Sequence, residues 1–137
     1  MTPRPNKRRS ILVVDDLREI TSLMRVLLSK EYDISVAHDG RQAMDLLGQG
    51  YTPDAVITDL RMPGMDGYNF IKVLQQNETF QDIPVIVFSV VDLNKAAKKL
   101  AHQKVSAYVP KTVMPNKLIA QLKPLLSEVT NEKTYVS

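Results

Sequence analysis

Five polar residues stand just past short apolar runs: Asp15 and Asp16 after 11–14, Asp59 after 55–58, Ser89 after 84–88 and Lys111 beyond 107–109. The runs are rich in Val and Ile and read as buried strands. If the strands are parallel, all these ends share one edge, where open α/β sheets place their ligands. Three carboxylates brought together repel one another and need a cation. With oxygen ligands and no Cys in the chain, Mg²⁺ is the best candidate, held by carboxylates, water and a phosphate. Lys111 adds a point charge and Ser89 a hydroxyl donor, both suited to the oxygens of a transferring phosphoryl group. Asp59, at the end of the central run, is then placed to be a nucleophile that forms an aspartyl phosphate. Taken alone, Asp59 reads equally well as a residue that ends a strand and starts a turn, because Pro63, Gly64 and Gly67 follow it. The ordered set around it favours chemistry.

The elements that must position these residues alternate along the chain. Residues 17–30 carry Ile20, Leu23, Met24, Leu27 and Leu28 at helical spacing. Residues 33–37 read as the second strand and 40–47 as a helix with Ala43, Met44 and Leu47 on one face. Asp66 is a candidate N-cap for a helix that presents Phe70, Ile71, Val73 and Leu74. Asp92 is another, for a helix with Leu93, Ala96, Ala97, Leu100 and Ala101 inward and Lys95, Lys98 and Lys99 outward. Residues 118–129 read as the closing helix, which Pro124 is expected to kink or shorten. Strands and helices alternating five times predict an α/β sandwich around a parallel sheet, in one domain over 10–129. A basic flexible arm over 1–9 and a polar tail over 130–137 flank it.

Composition narrows the function classes. The 137 residues are 44% hydrophobic and 24% charged, which is ordinary for a soluble globular chain. The absence of Cys excludes a disulfide framework and a thiol nucleophile. No apolar run approaches the roughly 18 residues that span a bilayer, and the basic start lacks the apolar segment of a signal peptide. A cytoplasmic protein with no membrane contact is expected. The net charge of +3 is mild, with Arg4, Lys7, Arg8 and Arg9 crowded in the arm. Such an arm reads as a solvated leader before it reads as a nucleic-acid contact.

The acidic pair, the central Asp, Met62-Pro63-Gly64-Met65-Asp66-Gly67, the Ser and the Lys resemble the receiver domain of two-component response regulators, of the single-domain, stand-alone type. Their order matches, as do the separations of 43 residues from Asp16 to Asp59, 30 to Ser89 and 22 more to Lys111. The resemblance implies a flavodoxin-like doubly wound sheet in strand order 2-1-3-4-5 with five helices. It implies that Asp59 accepts a phosphoryl group from a phosphohistidine on a sensor histidine kinase or a histidine phosphotransfer protein. Asp16, Asp59 and the backbone carbonyl of Arg61 would hold Mg²⁺, and Asp15 a water on it. Lys111 would contact the phosphoryl group. Ser89 would swing toward the phosphate and draw Tyr108 inward, which changes the surface of the fourth helix, fifth strand and fifth helix. Such a protein catalyses its own phosphorylation and dephosphorylation without being a conventional turnover enzyme. With no DNA-binding domain expected, output would pass through an unknown downstream protein target.

Three positions depart from the family pattern. Thr112 stands where a cis Pro commonly follows the Lys, and Pro110 precedes it instead. A cis bond before Thr112 would cost about 2.5–4 kcal/mol, so a trans bond and a shifted Lys111 are expected. Val90 replaces a small residue, and a Gly usual near Lys104 is missing. The alternative is a degenerate receiver that works as a phosphorylation-independent interaction module. A phosphatase of the haloacid dehalogenase type would need a second Asp two residues after the nucleophile, where Arg61 stands.

Overall fold

The computed structural model describes residues 8–112 and 115–135. Arg4 and Lys7 of the expected arm and the last two residues of the expected tail lie outside the described residues. The chain runs β1 (Ser10–Val14), α1 (Arg18–Leu28), β2 (Asp33–Ala37), α2 (Gly40–Gly48), β3 (Ala55–Thr58), α3 (Gly67–Gln75), β4 (Val85–Ser89), α4 (Leu93–Lys99), β5 (Ala107–Pro110) and α5 (Pro115–Tyr135). All strand pairs are parallel, in the order β2-β1-β3-β4-β5. This is the doubly wound arrangement expected from the sequence.

Strand side chains alternate between faces, so each strand feeds two cores. Leu12, Val14, Val56 and Val87 pack with Ala43, Phe70, Ile71, Leu74 and Ala96 of α2, α3 and α4. Ile11, Val13, Ile57 and Ile86 pack with Met24, Leu28, Leu118 and Leu122 of α1 and α5. Every residue of β3 is buried, which explains its continuous apolar run.

Local chemistry sets the helix starts. Asp66 accepts from the Asn69 N–H at 2.9 Å and Asp92 from the Asn94 N–H at 2.9 Å, as expected of caps. Asp39 caps α2 in the same way, through the Gln42 N–H at 2.8 Å. At Gly67 a Cβ would lie 2.1 Å from the Asp59 carbonyl oxygen, so only glycine lets α3 start against the backbone that leaves β3.

Some segments differ from the sequence expectation. α5 runs from Pro115 through Pro124 to Tyr135, longer at both ends than the expected 118–129 and not shortened by the proline. An interior proline costs a helix about 3 kcal/mol. Leu118, Leu122 and Leu126, spaced by four and buried, hold this helix on the sheet and offset that cost. Ala101 is exposed and lies beyond α4, which stops after Lys99. No residue other than glycine has a positive φ among the described residues. The chain therefore needs no left-handed turn at Lys104. The Gln75 amide instead holds that backbone, donating to the Lys104 carbonyl and accepting from its N–H at 2.9 Å.

Arg8 and Arg9 belong to the segment expected to be a free arm, yet both are tied down. Arg8 donates to the Ser29 carbonyl and, at 3.0 Å, to the Tyr32 carbonyl, so it caps the C-terminal end of α1. Its Nε is 3.7 Å from Asp33, and Arg9 is 3.7 Å from Asp54.

Candidate functional site

Parallel register brings the strand ends together. Val14 is opposite Thr58, and Ser89 is opposite Pro110. The ladder continues one step past the strands, from the Asp59 N–H to the Val14 carbonyl at 2.9 Å and from the Lys111 N–H to the Ser89 carbonyl at 3.0 Å. Asp15, Asp59, Ser89 and Lys111 are thereby fixed by backbone on one edge, although they are far apart in sequence.

The side chains meet there. Asp59 is 4% exposed. Its Oδ1 accepts from the Ser89 hydroxyl at 2.6 Å, from the Leu60 N–H at 2.7 Å and from the Arg61 N–H at 3.4 Å. Its Oδ2 accepts from Lys111 Nζ at 2.9 Å. Lys111 Nζ also lies 2.7 Å from Asp15 Oδ2, and Asp15 Oδ1 accepts from the Leu17 N–H at 3.0 Å. No cis peptide bond occurs among the described residues, as expected, and Lys111 nonetheless reaches both carboxylates. Its four-carbon stem is long and flexible enough to reach both carboxylates from a trans backbone.

Burial makes this edge electrostatically uneven. Removal from water pushes the Asp15 carboxyl above its ordinary value of 3.8, and the Lys111 hydrogen bond and the Leu17 N–H offset that only in part. Burial also pulls Lys111 down, but hydrogen bonds and charge from Asp15 and Asp59 more than reverse it, so Lys111 lies above 10.5. One buried cation is thus shared by two buried carboxylates. Asp16, the third, is exposed, with a ligand oxygen within 4.8 Å of those of Asp15 and Asp59. A set made only of carboxylate oxygens, two fixed and one exposed toward solvent, fits a hard divalent cation.

Arg61 and Tyr108 are placed less directly. Arg61 reaches Asp59 through its backbone N–H and lines a pocket of about 470 Å³ beside the acidic cluster. Tyr108 is half-buried against the core under α2, α3 and α4. Desolvation pushes its phenol up, with Tyr68 adding to the shift.

The structure adds residues to which the sequence assigned no role. Lys99 Nζ sits 4.2 Å from the centre of the Tyr68 ring, and both line the pocket with Arg61 and Asp16. His38 Nδ1 lies 3.2 Å from the Asp15 carbonyl oxygen, and its Nε2 is 3.3 Å from Arg18. A carbonyl only accepts, so Nδ1 carries the proton and Nε2 accepts from Arg18. None of these three contacts follows a local motif, and each joins residues far apart in the chain.

Comparison with known proteins agrees with this geometry. The family model described as the response regulator receiver domain matches residues 11–123. The chain is 36% identical over 123 residues to Response regulator MprA of Mycolicibacterium vanbaalenii, covering 88% of this chain and 51% of that protein. It is 32% identical over 117 residues to Sensor histidine kinase TmoS of Ectopseudomonas mendocina, covering 85% of this chain and 12% of that protein. The chain thus spans about half the length of the first relative and a small part of the second. Among solved structures, chemotaxis protein CheY4 of Vibrio cholerae superposes with a TM-score of 0.79 at 22% identity, covering 87% of this chain and 99% of that one. The signal receiver domain of a signal transduction histidine kinase from Syntrophus aciditrophicus gives 0.78 at 27% identity, over 88% and 92%. With the strand order, the acidic edge and the family match in agreement, the chain belongs to the response regulator receiver domain family.

Proposed function

We propose that Asp59 is a phosphoacceptor, charged by a phosphohistidine on a sensor histidine kinase or a histidine phosphotransfer protein. The observation that carries this reading is the bonding of the Asp59 carboxylate, with Ser89 on Oδ1 at 2.6 Å and Lys111 on Oδ2 at 2.9 Å. An oxygen of Asp59 attacks phosphorus, the P–N bond breaks, and the ring, protonated on its other nitrogen, leaves as neutral imidazole with the electron pair. Lys111 and Ser89 then exchange their carboxylate bonds for bonds to the new phosphoryl oxygens, which stabilises charge as it develops. Mg²⁺ held by Asp15, Asp16, Asp59 and the Arg61 carbonyl would supply further neutralisation of those oxygens.

Alternation along the strands places Ser89 and Tyr108 toward the same face of the sheet. In this reading, Ser89 moving onto the phosphoryl group frees space that Tyr108 takes up, which alters the α4–β5–α5 surface presented to a downstream protein. The fitting compartment is the cytoplasm. No described helix is long and apolar enough to cross a membrane.

Incubation with an acyl phosphate and Mg²⁺ should add one phosphoryl mass to the wild type. Asp59→Asn should remain unlabelled on intact-mass analysis. Equal labelling of the mutant would sink the assignment.

A further inference from the structure

The segment 38–40 joins β2 to α2 and adds no carboxylate to the acidic edge, yet it is bonded to both loops that do. On one side, His38 Nδ1 donates to the Asp15 carbonyl at 3.2 Å, and Arg18 donates to its Nε2 at 3.3 Å. On the other, the Gly40 N–H donates to the Met65 carbonyl at 3.2 Å. That second contact is tight. A Cβ at Gly40 would lie 2.8 Å from the Met65 carbonyl oxygen and 2.8 Å from Met65 Cγ. Gly40 has no positive φ, so its missing side chain serves the close approach rather than the backbone conformation. The loop that carries Met65 is bonded at its other end to Asp59, through the Leu60 and Arg61 N–H groups.

The segment is also stiff. Asp39 accepts from the Gln42 N–H at 2.8 Å, and Gln42 Oε1 accepts from the His38 N–H at 2.9 Å. This reciprocal cap ties 38–40 to the first turn of α2. A rigid piece bonded to two loops sets the distance between them.

On the reading that Asp15, Asp16, Asp59 and the Arg61 carbonyl hold Mg²⁺, we propose that 38–40 is a brace for that site. His38 and Gly40 are positioning residues that hold the turn of Asp15 and Asp16 and the loop of Arg61 at the separation the cation needs. Mg²⁺ demands near-octahedral geometry with ligands about 2.0–2.1 Å away. Ligands from two separate loops must be spaced before the ion arrives, or part of the binding energy goes into drawing them together. Repulsion among the carboxylates works to spread the loops. The brace opposes it through bonds to backbone carbonyls, which leaves the carboxylate oxygens free for the ion.

The test is the half-saturating Mg²⁺ concentration at constant ionic strength, read from the rise in Tm across a Mg²⁺ titration. The rate of Asp59 labelling by acetyl phosphate gives a second reading. His38→Ala should raise the half-saturating concentration about three- to tenfold, the scale of one lost hydrogen bond. Its labelling rate at saturating Mg²⁺ should stay near that of the wild type. His38→Asn, whose amide nitrogen stands where Nδ1 does, should recover most of the loss. Gly40→Ala should raise the concentration at least as much, because the Met65 carbonyl has to move. Gly48→Ala, at the other end of α2 with nothing within 4 Å of the added Cβ, should change nothing. A purely structural role would lower Tm equally with and without metal and leave the half-saturation point in place. That result in His38→Ala, or in a folded Gly40→Ala, would overturn the brace and leave the metal reading intact. A wild type whose Tm does not respond to Mg²⁺ would overturn both.

Discussion

The two edges of the sheet use the same residue types to opposite ends. At the N-terminal edge, Arg8 and Arg9 meet Asp33 and Asp54 at 3.7 Å, partly in water. Each charge there keeps much of its hydration and has its own partner. At the C-terminal edge, Lys111 and the carboxylates of Asp15 and Asp59 are each no more than 6% exposed, and one cation serves two anions. The first edge holds the start of the chain. The second is kept short of positive charge, so an incoming cation has something to correct. The difference teaches that burial and charge balance, more than residue type, separate a solvated ion pair from a buried, charge-deficient one.

The comparison is broken most strongly at Lys111. Lys111→Met leaves two buried carboxylates with no cation and should cost about 3–5 kcal/mol in metal-free denaturation. Arg9→Met, at the other edge, should cost less than about 1 kcal/mol. Similar losses at the two sites would remove the distinction.

Asp15 sharpens it in the opposite direction. Because burial raises its carboxyl above 3.8, the ionised form weakens the fold. Asp15→Asn should therefore raise the Tm of the metal-free protein at neutral pH. The sign with pH follows. A raised folded value means that the wild type regains this stability as pH falls through that value toward 3.8, so its gap to Asp15→Asn should close on acidification. A gap that widened would show that the Lys111 contact outweighs desolvation. Lys111, raised above 10.5, contributes stability that is fully present below 10.5 and should be lost as pH rises from there through its folded value.

Arg61 and Val90 probe the rim of the reactive edge. Val90 is 61% exposed, so it narrows the approach of water less than its bulk suggests. Arg61→Asn should speed loss of phosphate from Asp59 about two- to fivefold and Val90→Ala by less, followed by intact mass after donor removal. Unchanged lifetimes in both would exclude shielding by these residues.

The smallest effect is expected far from the reactive edge. Gln75→Ala removes the exposed clamp on the Lys104 backbone. It should cost about 0.5–1 kcal/mol in denaturation and leave Asp59 labelling unchanged.

By itself, the sequence determined the alternation of strands and helices, the Asp66 and Asp92 caps, and the residues that gather at the reactive edge. Each is a local matter: β-branched runs, helical spacing, a side chain reaching two or three residues ahead, and a polar residue just past a strand. Only the tertiary structure decided that Lys111 reaches Asp15 and Asp59 without a following proline, that α5 continues through Pro124, and that Arg8 and Arg9 are anchored. The same holds for the meeting of Lys99 with Tyr68. These outcomes depend on side chains that parallel crossovers carry together from distant parts of the chain. Whether such a contact forms is set by burial and reach in three dimensions, for which a linear pattern carries no signal.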